Sequence, residues 1–464
     1  MAANRGIRAY SRFIQFLRVV LGIYLKLRFN MKAENRGLVY RLKPPYLVLP
    51  NHVGYWDPFM VSIFVPQAIH WVAADANFRS RIVRRFLGLV GAIPKAKAIT
   101  DFEAIRYILS IREAGGVVGI FAEGQRTWDG TTLPLLYSTA KLVRLMKAPV
   151  VAPIFLGGYF SHPRWSYKPR RGKLTVRFTL ALTAEEARTF SVDQIYARLA
   201  EALSHDDYAY QAQAMIPYRG RRRAEDLEHP LFVCPDCRGI GTLHSCKARY
   251  RCGACGFEVR YTETGFLTAA EESALEIASP TLSSTPAAGN SAPGKSRAPQ
   301  FATIRDWHRW QLQQLPSLIK ERMIRYYERE IPIVEDRRID ASRGYRSSRL
   351  TKLGRGTLQL LPDRLVFFLP GEEPRRPPGP PAAGGGKQPT GTASEGAQAG
   401  EGQAGALEIP LSEIRGLNVQ LTRHLELYYR GRLYVFFPAS HKVSAYKWQN
   451  AIEILTEITS NKEQ

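Results

Sequence analysis

A histidine and an aspartate stand five residues apart in PNHVGYWDP, with His52 and Asp57 just past the apolar run YLVL at 46–49. A carboxylate on Nδ1 of such a histidine fixes the ring tautomer and leaves Nε2 to accept a proton. That pair can activate a hydroxyl for attack on an activated carbonyl. Further along, GVVGIFAEGQRTWDG sets Glu123, Gly124, Gln125 and Arg126 on a loop that leaves a second apolar run. Gly124 permits close backbone approach, and the Arg126 guanidinium is a planar fork matched to phosphate oxygens. A third constellation is made of thiols. All five cysteines fall between Cys234 and Cys255, where CPDCRG and CGACGF form two Cys-x2-Cys knuckles. Thiolates from Cys234, Cys237, Cys252 and Cys255 suit a closed, structural Zn²⁺ site, with Cys246 as the spare. Thiols confined to one cluster argue against a disulfide framework and for a reducing compartment. No Gly-x-Ser-x-Gly elbow is present, so direct transfer without a covalent enzyme intermediate is the simpler chemistry.

The elements that must position these groups are legible in the periodicity. YLVL (46–49), HWVAA (70–74), VVGIF (117–121), VVAPIFL (150–156) and LTVRFTL (174–180) read as buried strands. Phe78–Leu89, Phe102–Glu113, Leu135–Met146 and Val192–Leu203 between them carry helical spacing. Such alternation predicts an α/β sheet flanked by helices. His52 and Arg126 would then both sit beyond the carboxyl ends of strands, where ligands gather in α/β sheets.

Taken together, NHVGYWD and FAEGQRT resemble the glycerolipid acyltransferase family, whose members carry Asn-His-x4-Asp and then Phe-Pro-Glu-Gly-Thr-Arg. GAIPKAK (91–97) is similar to the family's second block and VVAPIFL to its fourth, with Pro153 in place. The resemblance covers about residues 40–205. It implies transfer of a fatty acyl group from acyl-CoA or acyl carrier protein to a hydroxyl of a lysophospholipid or glycerol phosphate. In those terms His52 is the general base, Asp57 its orienter and Arg126 the phosphate clamp. Glu123 and Gly124 would shape the acceptor pocket, with Lys95 and Lys97 standing where an arginine is common. Ala122 and Gln125 depart from the family's Pro and Thr. Backbone N–H groups near Val53 and Gly54 are the expected oxyanion donors.

The charge balance adds a partner. With 65 basic residues against 41 acidic ones the chain carries +24, which calls for an anionic surface. Ten Lys or Arg precede Pro50, against Glu34 alone. Phe13–Phe29 is too interrupted by Arg18, Lys26 and Arg28 to span a bilayer, and reads as a helix in the interface of an anionic cytoplasmic leaflet. The protein is therefore expected to be peripheral or monotopic on a membrane's cytoplasmic face. A nucleic-acid-binding protein is the rival reading, drawn from the knuckles, the charge and RGRRR (219–223), but it leaves the paired strand-end motifs unexplained. A catalytically altered, lipid-binding scaffold is the third.

The remaining chain divides by composition. The expected order is an amphipathic segment (1–39), the acyltransferase domain (40–210), a unit similar to a zinc ribbon (230–268), a disordered linker (270–300) and a helical connector (301–340). The last unit (345–460), with a disordered insert at 371–406, resembles a pleckstrin-homology-like or GRAM-like barrel closed by a helix bearing Trp448. That resemblance implies a lipid headgroup or a protein ligand and names neither.

Overall fold

The computed structural model describes residues 2–95, 101–270, 299–346, 348–372 and 406–460, with side chains of the first helix described from Gln15 onward. Lys97 and most of the expected linker and insert lie outside these residues. The first sheet comprises β1 (Met31–Glu34), β2 (Tyr46–Val48), β3 (Ile69–Ala74), β4 (Ile93–Lys95), β5 (Val117–Gly119), β6 (Val150–Leu156) and β7 (Leu174–Leu182), in the order β1-β7-β6-β2-β5-β3-β4. All neighbours are parallel except β6 and β7. A parallel sheet covered on both faces needs apolar residues on both. Accordingly Leu47 and Leu49 enter one core with the helices Phe102–Glu113 and Val192–Leu203. Tyr46 and Val48 enter the other, with Leu25 and Phe29 of the helix Ala2–Phe29.

Two elements escaped the periodicity. β1, MKAE, has no apolar run and is an edge strand held only by β7. The expected helix Phe78–Leu89 instead begins at Arg81, because the Ser80 hydroxyl caps it and Asp75–Phe78 coils as a 3-10 turn.

The cysteine-bearing segment folds as β8 (Leu243–Cys246), β9 (Arg249–Cys252), β10 (Glu258–Tyr261) and β11 (Leu267–Ala269), an antiparallel sheet in the order β11-β10-β9-β8. A helix, Ile304–Arg329, meets it through Trp307 on Tyr250, and an antiparallel sheet of seven strands follows. Its strands are β12 (Val334–Gly344), β13 (Thr351–Leu360), β14 (Arg364–Phe368), β15 (Leu407–Pro410), β16 (Arg415–Gln420), β17 (His424–Tyr429) and β18 (Arg432–Pro438), ordered β15-β14-β13-β12-β18-β17-β16. The helix Ala445–Ser460 closes the chain with Trp448 buried and its indole donating to Asp336 at 2.6 Å. β12 begins inside the stretch read as helical connector, because VEDRRIDASRG spends most of its positions on polar, outward-facing residues.

These units share one core. It runs from Trp128 and Tyr159 through Phe232 and Tyr250 to Trp307, Leu358 and Trp448. Trp307 donates to the Val233 carbonyl at 2.9 Å, and Gln311 bonds both Phe232 and Pro230. RGRRR is not a loose connector: Arg219 bridges to Arg171 through the main chain, and Arg223 donates to the carbonyls of Gly220 and Tyr261.

The helix Ala2–Phe29 meets the domain through Leu25 and Phe29, while Arg18 donates to the carbonyls of Val65 and Pro66 and Arg28 to that of Pro169. Those two cations are therefore turned toward the domain rather than away from it. Phe16, Val19, Val20, Ile23, Tyr24 and Leu27 stay exposed on the other side. No helix among the described residues is long and apolar enough to cross a membrane.

Candidate active site

β2 ends one residue before Leu49, and the chain turns into the helix Asp57–Ser62 as soon as Asp57 is reached. That early helix start swings the buried Asp57 carboxylate back under His52: Nδ1 lies 2.9 Å from Oδ2. The same carboxylate accepts from the N–H of Val53 at 2.7 Å and of Gly54 at 2.9 and 3.0 Å. The two N–H groups expected to serve an oxyanion are thus spent on holding the Asp57 carboxylate in place. A side chain at Gly54 would crowd Asp57, since a Cβ there would stand 3.1 Å from Oδ1.

β5 is the neighbour of β2, so the loop that leaves it reaches the same edge of the sheet. It grips His52 on both sides of its main chain. The Glu123 carboxylate accepts from the His52 N–H at 2.6 Å, and Thr127 N–H donates to the His52 carbonyl at 2.9 Å. The other Glu123 oxygen accepts from Leu133 N–H at 2.7 Å. Burial pushes the Glu123 carboxyl up to about 8, against the pull of the Leu133 and His52 N–H groups. Glu123 therefore fixes the backbone under the histidine and does not line an open pocket. Gly124 has φ +70, and a Cβ there would stand 2.8 Å from Leu136.

Arg126, partly buried, projects from this loop and donates to the main-chain carbonyl of Leu421. Burial lowers its pKa to about 10, while the Asp57 charge works to raise it. Lys95 ends β4, three strands from β2, and burial lowers its pKa against the Asp101 charge. His52, Asp57, Glu123 and Arg126 are thus brought to one edge.

Sequence reading missed an aromatic wall. His52 stacks on Phe121 with centroids 3.8 Å apart, and Phe121 stacks on Trp71 at 5.2 Å. Gly119 admits Trp71, because a Cβ there would stand 2.4 Å from its ring. The only hint was the tight spacing of aromatic and glycine residues in GVVGIF.

The thiols of Cys234, Cys237, Cys252 and Cys255 converge with all four sulfurs within 4.8 Å of one another. Two of the separations are 3.7 Å. Tetrahedral Zn²⁺ with bonds of about 2.3 Å needs sulfurs about 3.8 Å apart, so the donor set fits. Arg238, not Gly239, takes the left-handed turn in the first knuckle, while Gly256 takes it in the second.

The sheet order and the paired loops at its edge define a class, an α/β fold with a histidine–carboxylate site at the strand ends. Comparison with known proteins is more specific. Residues 30–156 match the family model described as Acyltransferase, a span running from the start of β1 to the end of β6 and holding both loops. A 1-acyl-sn-glycerol-3-phosphate acyltransferase of Bacillus subtilis (strain 168) is 24% identical over 144 residues, 31% of this chain and 71% of that protein. The 1-acyl-sn-glycerophosphate (LPA) acyltransferase PlsC from Thermotoga maritima is a similar solved structure, at 14% identity and a TM-score of 0.36 over 45% of this chain and 79% of that one.

Proposed function

We propose that the protein is a glycerolipid O-acyltransferase that moves a fatty acyl group from acyl-CoA or acyl carrier protein to a hydroxyl of a lysophospholipid or glycerol phosphate. The observation that carries this is the 2.9 Å contact between His52 Nδ1 and Asp57 Oδ2, on a histidine gripped on both sides by the Glu123–Thr127 loop. With Nδ1–H donating to Asp57, Nε2 is the atom that takes the acceptor's proton. The hydroxyl oxygen then bonds to the thioester carbon, the C–S bond breaks, and the proton passes from His52 to the departing thiolate. Arg126 holds the acceptor's phosphate. Zn²⁺ on the four cysteines is structural and takes no part in these steps.

Purified protein assayed with acyl-CoA and a panel of lysolipids tests the reading. Transfer to at least one glycerolipid acceptor is expected, and none with any donor would refute it. In the same assay Arg126→Ala should raise KM for a phosphate-bearing acceptor by about tenfold or more, the scale of a charge-assisted hydrogen bond. KM for the donor and for a neutral acceptor should stay near wild type. Equal effects on charged and neutral acceptors would remove Arg126 from the phosphate site.

The exposed face of the helix Ala2–Phe29 is read as the leaflet-binding surface. Deleting the helix would also strip Leu25 and Phe29 from the core, so substitution is the cleaner test. Replacing Phe16, Ile23 and Leu27 with Gln should release the protein from anionic vesicles, each buried side chain being worth roughly tenfold in partitioning. Unchanged vesicle co-sedimentation would place the anchor elsewhere.

A further inference from the structure

The last sheet of the chain reaches into this site. The turn between β16 and β17, Leu421 to Arg423, lies against the Arg126 loop and the segment that follows β6. Its Leu421 carbonyl accepts from Arg126 and also from Arg164 Nε at 3.2 Å. The Val419 carbonyl accepts from Arg164 Nη2 at 2.7 Å, and the Thr422 hydroxyl donates to the Arg164 carbonyl at 2.8 Å. Arg164 also donates to the Arg126 carbonyl at 2.9 Å and to the Gln125 amide oxygen at 3.5 Å, and lies 3.9 Å over the Trp128 ring.

What these two arginines lack is an acid. Arg164 is 4% exposed, yet neither it nor Arg126 forms an ion pair with a carboxylate among the described residues. Asp57, the acid whose charge Arg126 feels, is already spent on His52 and two N–H groups. Buried cations are ordinarily paired, and carbonyl dipoles supply only part of a compensating charge. Two neighbouring guanidinium groups held by neutral oxygens make an anion site with dipoles standing in it. The turn itself is pinned from a distance. Glu426 on β17 receives both ends of Arg79 at 2.5 and 3.2 Å, and Gln420 reaches Asn77 at 3.4 Å.

We propose that the β16–β17 turn is a resident competitor for the acceptor. The Leu421 carbonyl holds the place on Arg126 and Arg164 that the acceptor's phosphate takes in turnover, and Arg164 is the second cation of that site. The inference rests on reading Arg126 as the phosphate clamp. It makes the C-terminal sheet a determinant of acceptor specificity. A phosphomonoester carries enough charge to displace a carbonyl from two arginines, whereas a neutral acceptor has nothing to offer in exchange.

Two variants loosen the turn while leaving both arginine side chains and their own donors in place. Thr422→Val removes its hydroxyl at constant shape, and the double change R79M/E426L removes the distant ion pair and leaves an apolar contact in its stead. Each should lower KM for lysophosphatidic acid, by about tenfold for the stronger variant, and leave KM for acyl-CoA and for monoacylglycerol unchanged. Circular dichroism and thermal unfolding establish that each variant is folded. An unchanged KM for lysophosphatidic acid in both folded variants overturns the proposal. So does a raised one, which would make the turn a wall of the site rather than its occupant. Wild-type protein without any transfer would refute the acyltransferase reading instead. In that event calorimetric titration with glycerol 3-phosphate decides here: tighter binding to the variants supports the competitor, and equal or weaker binding ends it.

Discussion

His52→Ala is expected to cut acyl transfer by about 10²–10⁴-fold, the ordinary cost of removing a general base. The loss should fall on kcat more than on KM, because the imidazole moves a proton and does not hold either substrate. Folding should survive. The His52 side chain is 18% exposed and its ring adds one stacking face to Phe121, whereas the grip of Glu123 and Thr127 is on the main chain. Steady-state kinetics beside a thermal melt separates the two effects. Wild-type turnover in a folded alanine variant would remove His52 from the chemistry.

The second large effect is on the metal. Protein purified without chelator is expected to carry about one zinc per chain, and Ser at Cys234, Cys237, Cys252 or Cys255 should lower that content sharply. Structural zinc contributes roughly 10–16 kcal/mol of apparent binding free energy in isolated fingers at pH 7, most of it coupled to folding. Cys234, Tyr250 and Cys252 of the cysteine-bearing unit belong to the same core as Trp307 and Trp448. Losing the metal should therefore lower the melting temperature of the C-terminal sheet as well, not of the cysteine-bearing unit alone. Cys246→Ser is the control, since its exposed thiol lies outside the cluster of four. Metal analysis of the five serine variants beside their melting curves checks both statements. Full metal content in Cys234→Ser would dismiss the tetrahedral site.

Where the sequence was sufficient, one signal dominated. β6 occupies the residues of VVAPIFL, and the helices Phe102–Glu113 and Val192–Leu203 have the expected bounds, because burial on a covered sheet imposes an apolar run or a helical period. The nearness of Asp57 to His52 was legible for the same local reason, a helix starting at once after a strand. The oxyanion assignment was wrong because Val53 and Gly54 can donate to only one partner, and which partner wins is decided by where the carboxylate comes to rest. Arg164 was illegible altogether. It lies in an irregular segment, SHPRWSYKP, and its meaning depends on carbonyls 255 residues further along. β12 was missed because a strand rich in Arg and Asp carries its pattern in three buried positions, Val334, Ile339 and Ala341, separated by charged residues.

Those long separations have a consequence for how the chain is made. Asp129 bonds to His308, 179 residues later, and His308 in turn meets Tyr446, a further 138 residues on. Synthesis delivers the strands of the first sheet, with His52 and Asp57 already in reach of each other, long before any of these partners leave the ribosome. Through that interval Asp129, Trp128 and Arg164 await the surfaces that will bury them. A nascent chain halted after the first sheet would hold His52 and Asp57 beside an uncovered, cation-bearing patch. The order of emergence thus keeps the proposed acceptor site unfinished until the final helix has docked.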